Sequence, residues 1–306
     1  MTIESKHEIV KLLNAEKQRH GSYNRLSRVC KVSNATISNM VNSNWQSVSN
    51  ELWEIVGKAL NYNENTWTIA KTFNLRQMHQ VLNTARETSS FWAVSCKAGS
   101  GKTAAIKYYA NTNIKGVYLL QAEEWTQRQF ISALCDILGI QPVSGYNSVS
   151  MMLQQVVSYF TRRRSDKPLL IIDEADKLKD SAKRMLIPLF NRLEDILACV
   201  IAGTENLEAE IKKGVRARRK GFDEIDSRFG RTYLRLTGAS AQDVSAICRS
   251  NGISHEETIR KIWKESNPGV TEVGGSSIRV VEDMRRIKRL IVAEKCLNMF
   301  NENALV

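Results

Sequence analysis

Two short stretches hold residue types whose spacing could act on a phosphate ester. In FWAVSCKAGSGKTAAI, residues 91–106, an apolar run is followed by Ala98, Gly99, Ser100, Gly101, Lys102 and Thr103, and then by a helical pattern. A loop of this kind surrounds phosphate with successive backbone N–H groups and with the positive end of the next helix. Its glycines let the backbone come close, the lysine reaches the outer phosphates, and the threonine hydroxyl lies on the side of a magnesium ion. In LLIIDEAD, residues 169–176, an apolar run ends in acids. The carboxyl end of a strand is where open α/β sheets bind their ligands. Asp173 is expected to hold Mg2+ through its water shell, and Glu174 to polarise an attacking water. Together the two stretches predict a site for ATP and Mg2+.

One position departs from the G-x-x-x-x-G-K-[ST] pattern. Cys96 stands where the first glycine is expected. If that position needs positive φ, a cysteine costs about 1–2 kcal/mol; if it needs only a small side chain, the cost is near zero. The loop is expected to survive, because its chemically active members are intact.

Three further residues fit control of hydrolysis. The apolar run ending at Ala202, Gly203 and Thr204 would lie between the two motif strands, so Thr204 is placed to sense the γ-phosphate or to orient the water. Arg228, in Ser227-Arg228-Phe229, follows a helical pattern and precedes TYLRL. From there an arginine can reach an adjacent subunit's γ-phosphate and neutralise charge in the transition state. Arg279, in SSIRVVEDM, is read as lying early in a long helix that folds back onto the nucleotide.

The elements that must position these residues alternate along the chain. The apolar runs WAVSC, GVYLL, LLIID and LACVIAG, and TYLRL after them, are separated by helical patterns. This predicts an α/β fold, a parallel sheet flanked by helices on both faces. Residues 1–65 show three or four short helical patterns and read as an N-terminal all-α domain; asparagine-rich NYNENTW, from Asn61, marks a linker, and residues 66–85 read as a linker and lead-in helix. Residues 86–238 read as the α/β core. Residues 239–306 show no strand pattern and read as a small all-α lid.

The formal net charge is +12 and the sequence pI about 9.5, which points to a polyanionic partner, first of all double-stranded DNA. Half of that excess lies in KKGVRARRK, where Lys212, Lys213, Arg216, Arg218, Arg219 and Lys220 occur with no acid. A second cluster lies at Arg285, Arg286, Lys288 and Arg289. Phosphate contacts supply affinity without reading sequence, so one or both clusters are expected to grip the DNA backbone. The run Arg162, Arg163 and Arg164 reads as a solvated connector. No apolar run reaches the ~20 residues of a spanning helix, and the N-terminus lacks the apolar core of a signal peptide. A cytoplasmic protein without a membrane partner is expected. The six cysteines are scattered, with no C-x-x-C pair, and read as reduced core residues rather than as a disulfide framework or zinc site.

Taken together, the phosphate loop ending at Thr103, the acids Asp173 and Glu174, Thr204, Arg228 and Arg279 resemble the AAA+ ATPases. The resemblance implies a P-loop ATPase that assembles as a ring or helical filament, with Thr204 and Arg279 as its two sensors and Arg228 as the residue acting across subunits. In length, minimal lid and N-terminal domain the chain is similar to the target-selecting transposition ATPases of the MuB family. That implies ATP-dependent, sequence-nonspecific DNA binding and recruitment of a transposase. NRLSRVCKVSNATISNMVNS, residues 24–43, looks like a λ-repressor-type helix-turn-helix, with Leu26, Cys30, Ile37 and Met40 or Val41 inward, Ser33 as an N-cap, and Asn34, Thr36, Ser38 and Asn39 left for a DNA groove. Lys31 takes the place of the usual turn glycine. Two other readings stay open: a replication initiator or helicase loader of the same class, and a regulator whose oligomeric state is switched by nucleotide.

Overall fold

The computed structural model describes residues 3–60, 62, 67–141, 148–273 and 275–303. The stretch read as a linker lies at residues 61–67, of which only Tyr62 and Trp67 are among them.

The N-terminal block is four α-helices: α1 (Ile3–His20), α2 (Tyr23–Val29), α3 (Asn34–Val41) and α4 (Asn50–Ala59). Their apolar faces enclose Ile9, Leu13, Leu26, Cys30, Ile37, Met40, Trp53 and Val56. The turn between α2 and α3 puts Lys31 at φ 55°, the backbone region that favours glycine. The Ser33 hydroxyl then caps α3 by accepting from Thr36 N at 3.0 Å.

The α/β core follows in chain order. It comprises α5 (Phe73–Thr88), β1 (Phe91–Ser95), α6 (Lys102–Thr112), β2 (Val117–Gln121), α7 (Gln127–Ile137), α8 (Val149–Thr161), β3 (Leu169–Asp173), α9 (Asp180–Lys183), α10 (Leu186–Leu193), β4 (Ala198–Gly203), α11 (Glu205–Arg216), α12 (Phe222–Arg228) and β5 (Tyr233–Leu234). The strands pair in parallel in the order β2-β3-β4-β1-β5. The central strands are buried along their whole length, which is why LLIID and ACVIAG read as unbroken apolar runs rather than alternating ones. Helices cover both faces and produce two clusters. One lies around Phe130, Leu134, Phe160 and Leu189, the other around Met78, Leu82, Ile106 and Val200. Each such side chain, fully buried, contributes about 1.5–3 kcal/mol.

The closing segment differs from the expected all-helical lid. It contains α13 (Ala241–Ser250) and α14 (Glu256–Glu265), then an antiparallel hairpin of β6 (Gly269–Val273) and β7 (Ser276–Val280), and only then α15 (Met284–Asn303). Arg279 therefore lies on a strand opposite Val270, exposed, and not on a helix. Four of the five β7 residues are exposed, so burial left no apolar run to read there.

The N-terminal block docks directly on the core. Buried Arg19 donates to Ala110 O in the last turn of α6, where a cation is favoured, and, at 2.8 Å, to Ile114 O just beyond that helix. Arg163 donates to Arg19 O at 2.8 Å and packs on the Tyr159 ring, with Arg25 also against that ring. Arg163 is thus part of a packed interface and not a solvated connector, because a neighbouring domain covers it. Five cysteines are buried and Cys296 is exposed, so the reading of all six as core residues fails at Cys296. No helix among the described residues is long and apolar enough to cross a membrane.

Candidate functional site

The phosphate loop leaves β1 and turns into α6 through two residues with positive φ, Gly99 at 83° and Gly101 at 89°. Cys96 is not among the positive-φ residues. The first pattern position therefore demands no glycine backbone here. Its sulfur is buried and tied to the β5 segment, accepting from Leu236 N at 3.2 Å and donating to Leu234 O at 3.6 Å. Burial pushes its pKa up, so it stays a thiol.

Lys102 opens α6, and its ammonium donates to Cys96 O and Lys97 O, each at 3.0 Å, and to Ser100 Oγ at 3.3 Å. Burial lowers its pKa. Across the sheet edge, Thr103 Oγ1 donates to Asp173 Oδ2 at 2.7 Å, while Asp173 Oδ1 accepts from Glu174 N at 3.0 Å. Burial raises the Asp173 pKa, and the Thr103 hydrogen bond opposes that rise. Glu174 has a left-handed backbone, φ 56°. Its carboxylate accepts from Lys177 Nζ at 2.7 Å and Gln121 Nε2 at 3.3 Å, and Lys177 holds it below the usual carboxylate range.

β4 does lie between β3 and β1. It brings Thr204 to the same edge as the N-cap of α11, a helix with Glu205 and Glu208 in its first turn and Lys213 and Arg216 in its last. Thr204 Oγ1 donates to Asp176 Oδ2 at 2.6 Å and accepts from Asn206 N at 3.3 Å. Ala98 through Thr103, Asp173, Glu174, Asp176, Lys177 and Thr204 line one cleft of about 580 Å³.

The far wall comes from residues to which the sequence assigned no role in this cleft. Trp67 and Ala70 pack into the lid's apolar cluster, and Asn251 clasps Thr68 through its backbone N and O, both at 3.0 Å. Asn74 donates to Ser100 O at 3.3 Å and accepts from Gly238 N at 3.3 Å, linking the phosphate loop to the start of the lid. Met284 N donates to Gly99 O at 2.8 Å, and a Cβ on Gly99 would lie 2.2 Å from Asp283 Oδ1, so that glycine is required twice over. The lid cations lining the cleft are Arg285 and Lys288, one turn apart on α15, in place of Arg279.

Arg228 ends α12 outside its own cleft. Its guanidinium pairs with Glu224 at 2.7 Å and lies 4.4 Å from the Phe190 ring centroid. In the basic segment, Lys212 pairs with buried Asp226 at 3.0 Å and lies over Tyr233, and Arg219 pairs with Asp180 and lies over Phe222. Lys212 ties α11 to α12, Arg219 ties the turn between them to α9, and Lys213, Arg216, Arg218, Arg219 and Lys220 are exposed. On α3, Asn34 and Ser38 are exposed, and Thr36 and Asn39 are half-buried.

Comparison with known proteins bears on the core. Residues 83–210 match the family model described as an AAA domain. No curated protein matches the sequence. Among solved structures, the chain is similar to the ORC2 protein of Aeropyrum pernix, with 13% identity and a TM-score of 0.53, over 79% of this chain and 66% of that one. It is also similar to Cdc6p of Pyrobaculum aerophilum, with 16% identity and a TM-score of 0.44, over 57% of this chain and 47% of that one. The Thermotoga maritima RuvB Holliday junction branch migration motor gives 15% identity and a TM-score of 0.42, over 72% of this chain and 61% of that one. The chain thus spans about half to two thirds of the length of these structures. The parallel sheet order, the loop-to-helix turn after β1 and the match over residues 83–210 agree: the chain has the fold of the AAA+ ATPases, and residues 83–210 match an AAA domain.

Proposed function

We propose that the chain is an ATP-hydrolysing protein that assembles as a homo-oligomer on double-stranded DNA, with residues 1–65, 86–238 and 239–306 acting as DNA-facing domain, ATPase core and lid, joined by 66–85. The observation that carries this reading is the convergence of Lys102, Thr103, Asp173, Glu174 and Thr204 on one cleft at the carboxyl edge of the sheet. The Lys102 donors, now on loop carbonyls, suit the outer phosphates of ATP. Thr103 gives its proton to Asp173, so its lone pairs and the carboxylate form the hard oxygen donor set that suits Mg2+. That ion, when bound, supplies neutralisation of charge on the transferring phosphoryl group. Glu174 orients water and takes its proton as the water oxygen bonds to the γ-phosphorus and the bond to the ADP oxygen breaks. Arg285 and Lys288 face the phosphates from the lid. Arg228 serves the neighbouring subunit's site, which fits its position outside its own cleft.

Lys213, Arg216, Arg218 and Lys220 would grip DNA phosphates, with Lys212 and Arg219 as their scaffold. The polar face of α3 (Asn34, Thr36, Ser38 and Asn39) offers a second DNA contact in a helix-turn-helix manner. In the finer reading, the ATP-bound assembly selects target DNA in the cytoplasm and recruits a transposase, which stimulates hydrolysis. The domain order and the MuB resemblance support it. The fold likeness to ORC2 favours a second reading, a replication-initiator type of ATPase.

Negative-stain electron microscopy on random-sequence duplex, with ATP, ADP or no nucleotide, tests the assembly step. Filaments or rings with ATP alone are expected, and bare DNA in all three samples contradicts the proposal. Capture of a transposase by the ATP-bound assembly supports the finer reading, and protection of one specific DNA site supports the second.

A further inference from the structure

Two of the hydroxyls that line the cleft have their proton committed to an acid. Thr103 donates to Asp173 at 2.7 Å, and Thr204 donates to Asp176 at 2.6 Å. A threonine hydroxyl has one proton and two lone pairs. The Thr204 proton lies on Asp176, and one lone pair accepts from Asn206 N at 3.3 Å. What remains is an acceptor. Such an oxygen cannot donate to a γ-phosphate oxygen, which itself only accepts, but it can receive an O–H of water.

Asp176 is held in place for this task. A Cβ on Gly203 would lie 2.7 Å from its Oδ1, so the carboxylate sits directly against the end of β4. Its backbone carbonyl accepts from Lys183 Nζ at 3.4 Å, and Lys183 is buried and paired with Glu210 of α11. The short helical turn after Glu174 is thereby pinned to the helix that Thr204 caps.

We propose that Asp176 is a positioning residue for hydrolysis: by taking the Thr204 proton it makes Thr204 an acceptor for the attacking water, opposite the carboxylate of Glu174. One water then has both protons directed, one to Glu174 and one to Thr204, and its lone pair faces the γ-phosphorus. The proton that leaves on attack goes to Glu174; Thr204 and Asp176 undergo no net change. This inference rests on the proposed ATPase reading.

Without Asp176 the Thr204 hydroxyl is free to turn and donate to the γ-phosphate, and an anion near the triphosphate is gone. Asp176→Ala is therefore expected to bind ATP as tightly as wild type or more tightly, with kcat reduced about tenfold, less than the ~100-fold or more of a group that itself transfers the proton, because Asp176 acts through Thr204. Asp176→Asn keeps a carbonyl acceptor and should recover most of kcat. Thr204→Val should lose kcat to the same extent, and the double variant Asp176→Ala/Thr204→Val should lose no more than either alone.

The experiment is steady-state ATP hydrolysis with DNA, binding of a fluorescent ATP analogue, and thermal melting for these four variants and wild type. A fall in kcat with unchanged affinity and melting, shared non-additively with Thr204, supports the role. Wild-type kcat in Asp176→Ala, additive losses, or a loss that follows melting temperature overturns it. Wild type that binds nucleotide without turnover overturns the ATPase reading and this one with it, whereas turnover untouched by Asp176→Ala overturns only the role of Asp176.

Discussion

Between residues 212 and 220 six cations lie at the end of α11 and just after it; five of them are exposed, while Lys212 braces α11 against α12 and Arg219 pairs with Asp180 of α9. Between residues 285 and 289 four cations surround buried Ile287 on α15, and two of them, Arg285 and Lys288, line the cleft beside the phosphate-loop motif. The two segments are nearly indistinguishable in composition. What separates them is which helix face is buried: Ile287 and Ile291 anchor α15 in the lid core, and the helical period then turns residues 285 and 288 together toward the phosphate loop. Under the proposed function, charge density points to a polyanion, and periodicity against a buried face separates the cluster proposed for DNA from the one proposed for nucleotide.

The contrast can be broken at either end. Changing Lys213, Arg216, Arg218 and Lys220 together to Ala is expected to cost DNA affinity 100-fold or more, and to flatten the salt slope by roughly 3–4, about 0.9 for each lost phosphate contact. Nucleotide affinity should stay as in wild type; filter binding over a salt series, beside nucleotide titration, reads both. Arg285→Ala should do the reverse, weakening ATP roughly 10- to 150-fold, as expected for a charge-assisted contact of about 1.5–3 kcal/mol, with the salt slope on DNA unchanged. Equal effects of the two variants on both ligands would erase the distinction.

A subtler change lies in pH dependence. Lys177 is the largest cause of the lowered Glu174 pKa. With Lys177→Met that pKa rises, so Glu174 becomes protonated at a higher pH and the acid limb of the kcat profile moves upward. A limb that stays in place would show that Glu174 does not set it. Arg279→Ala, on the exposed hairpin, is expected to change ATP affinity less than twofold, and a larger loss would return a sensing role to β7.

These outcomes follow how the site was written in the sequence. The phosphate loop and the Asp173-Glu174 edge were legible because their chemistry demands particular residue types at fixed local spacing. The parallel sheet was legible because strands buried on both faces are continuous apolar runs. The Asp176–Thr204 bond joins residues far apart in sequence, and only the insertion of β4 beside β3 brings them together. The β6–β7 hairpin carried a signal that went unread, paired glycines between β-branched runs, but its exposed strands lack the apolar run that marks a buried one. Arg163 looked like a solvated cation because docking of the N-terminal block has no local signature.

The most direct test of the cleft as a hydrolytic site is ATP turnover by wild type and Glu174→Gln, measured on DNA beside binding of a fluorescent ATP analogue. The account predicts that wild type releases phosphate, and that Glu174→Gln binds the analogue equally well, turns over at least 100-fold more slowly, and persists on DNA. Turnover by Glu174→Gln at the wild-type rate, or no nucleotide binding by wild type, would contradict it.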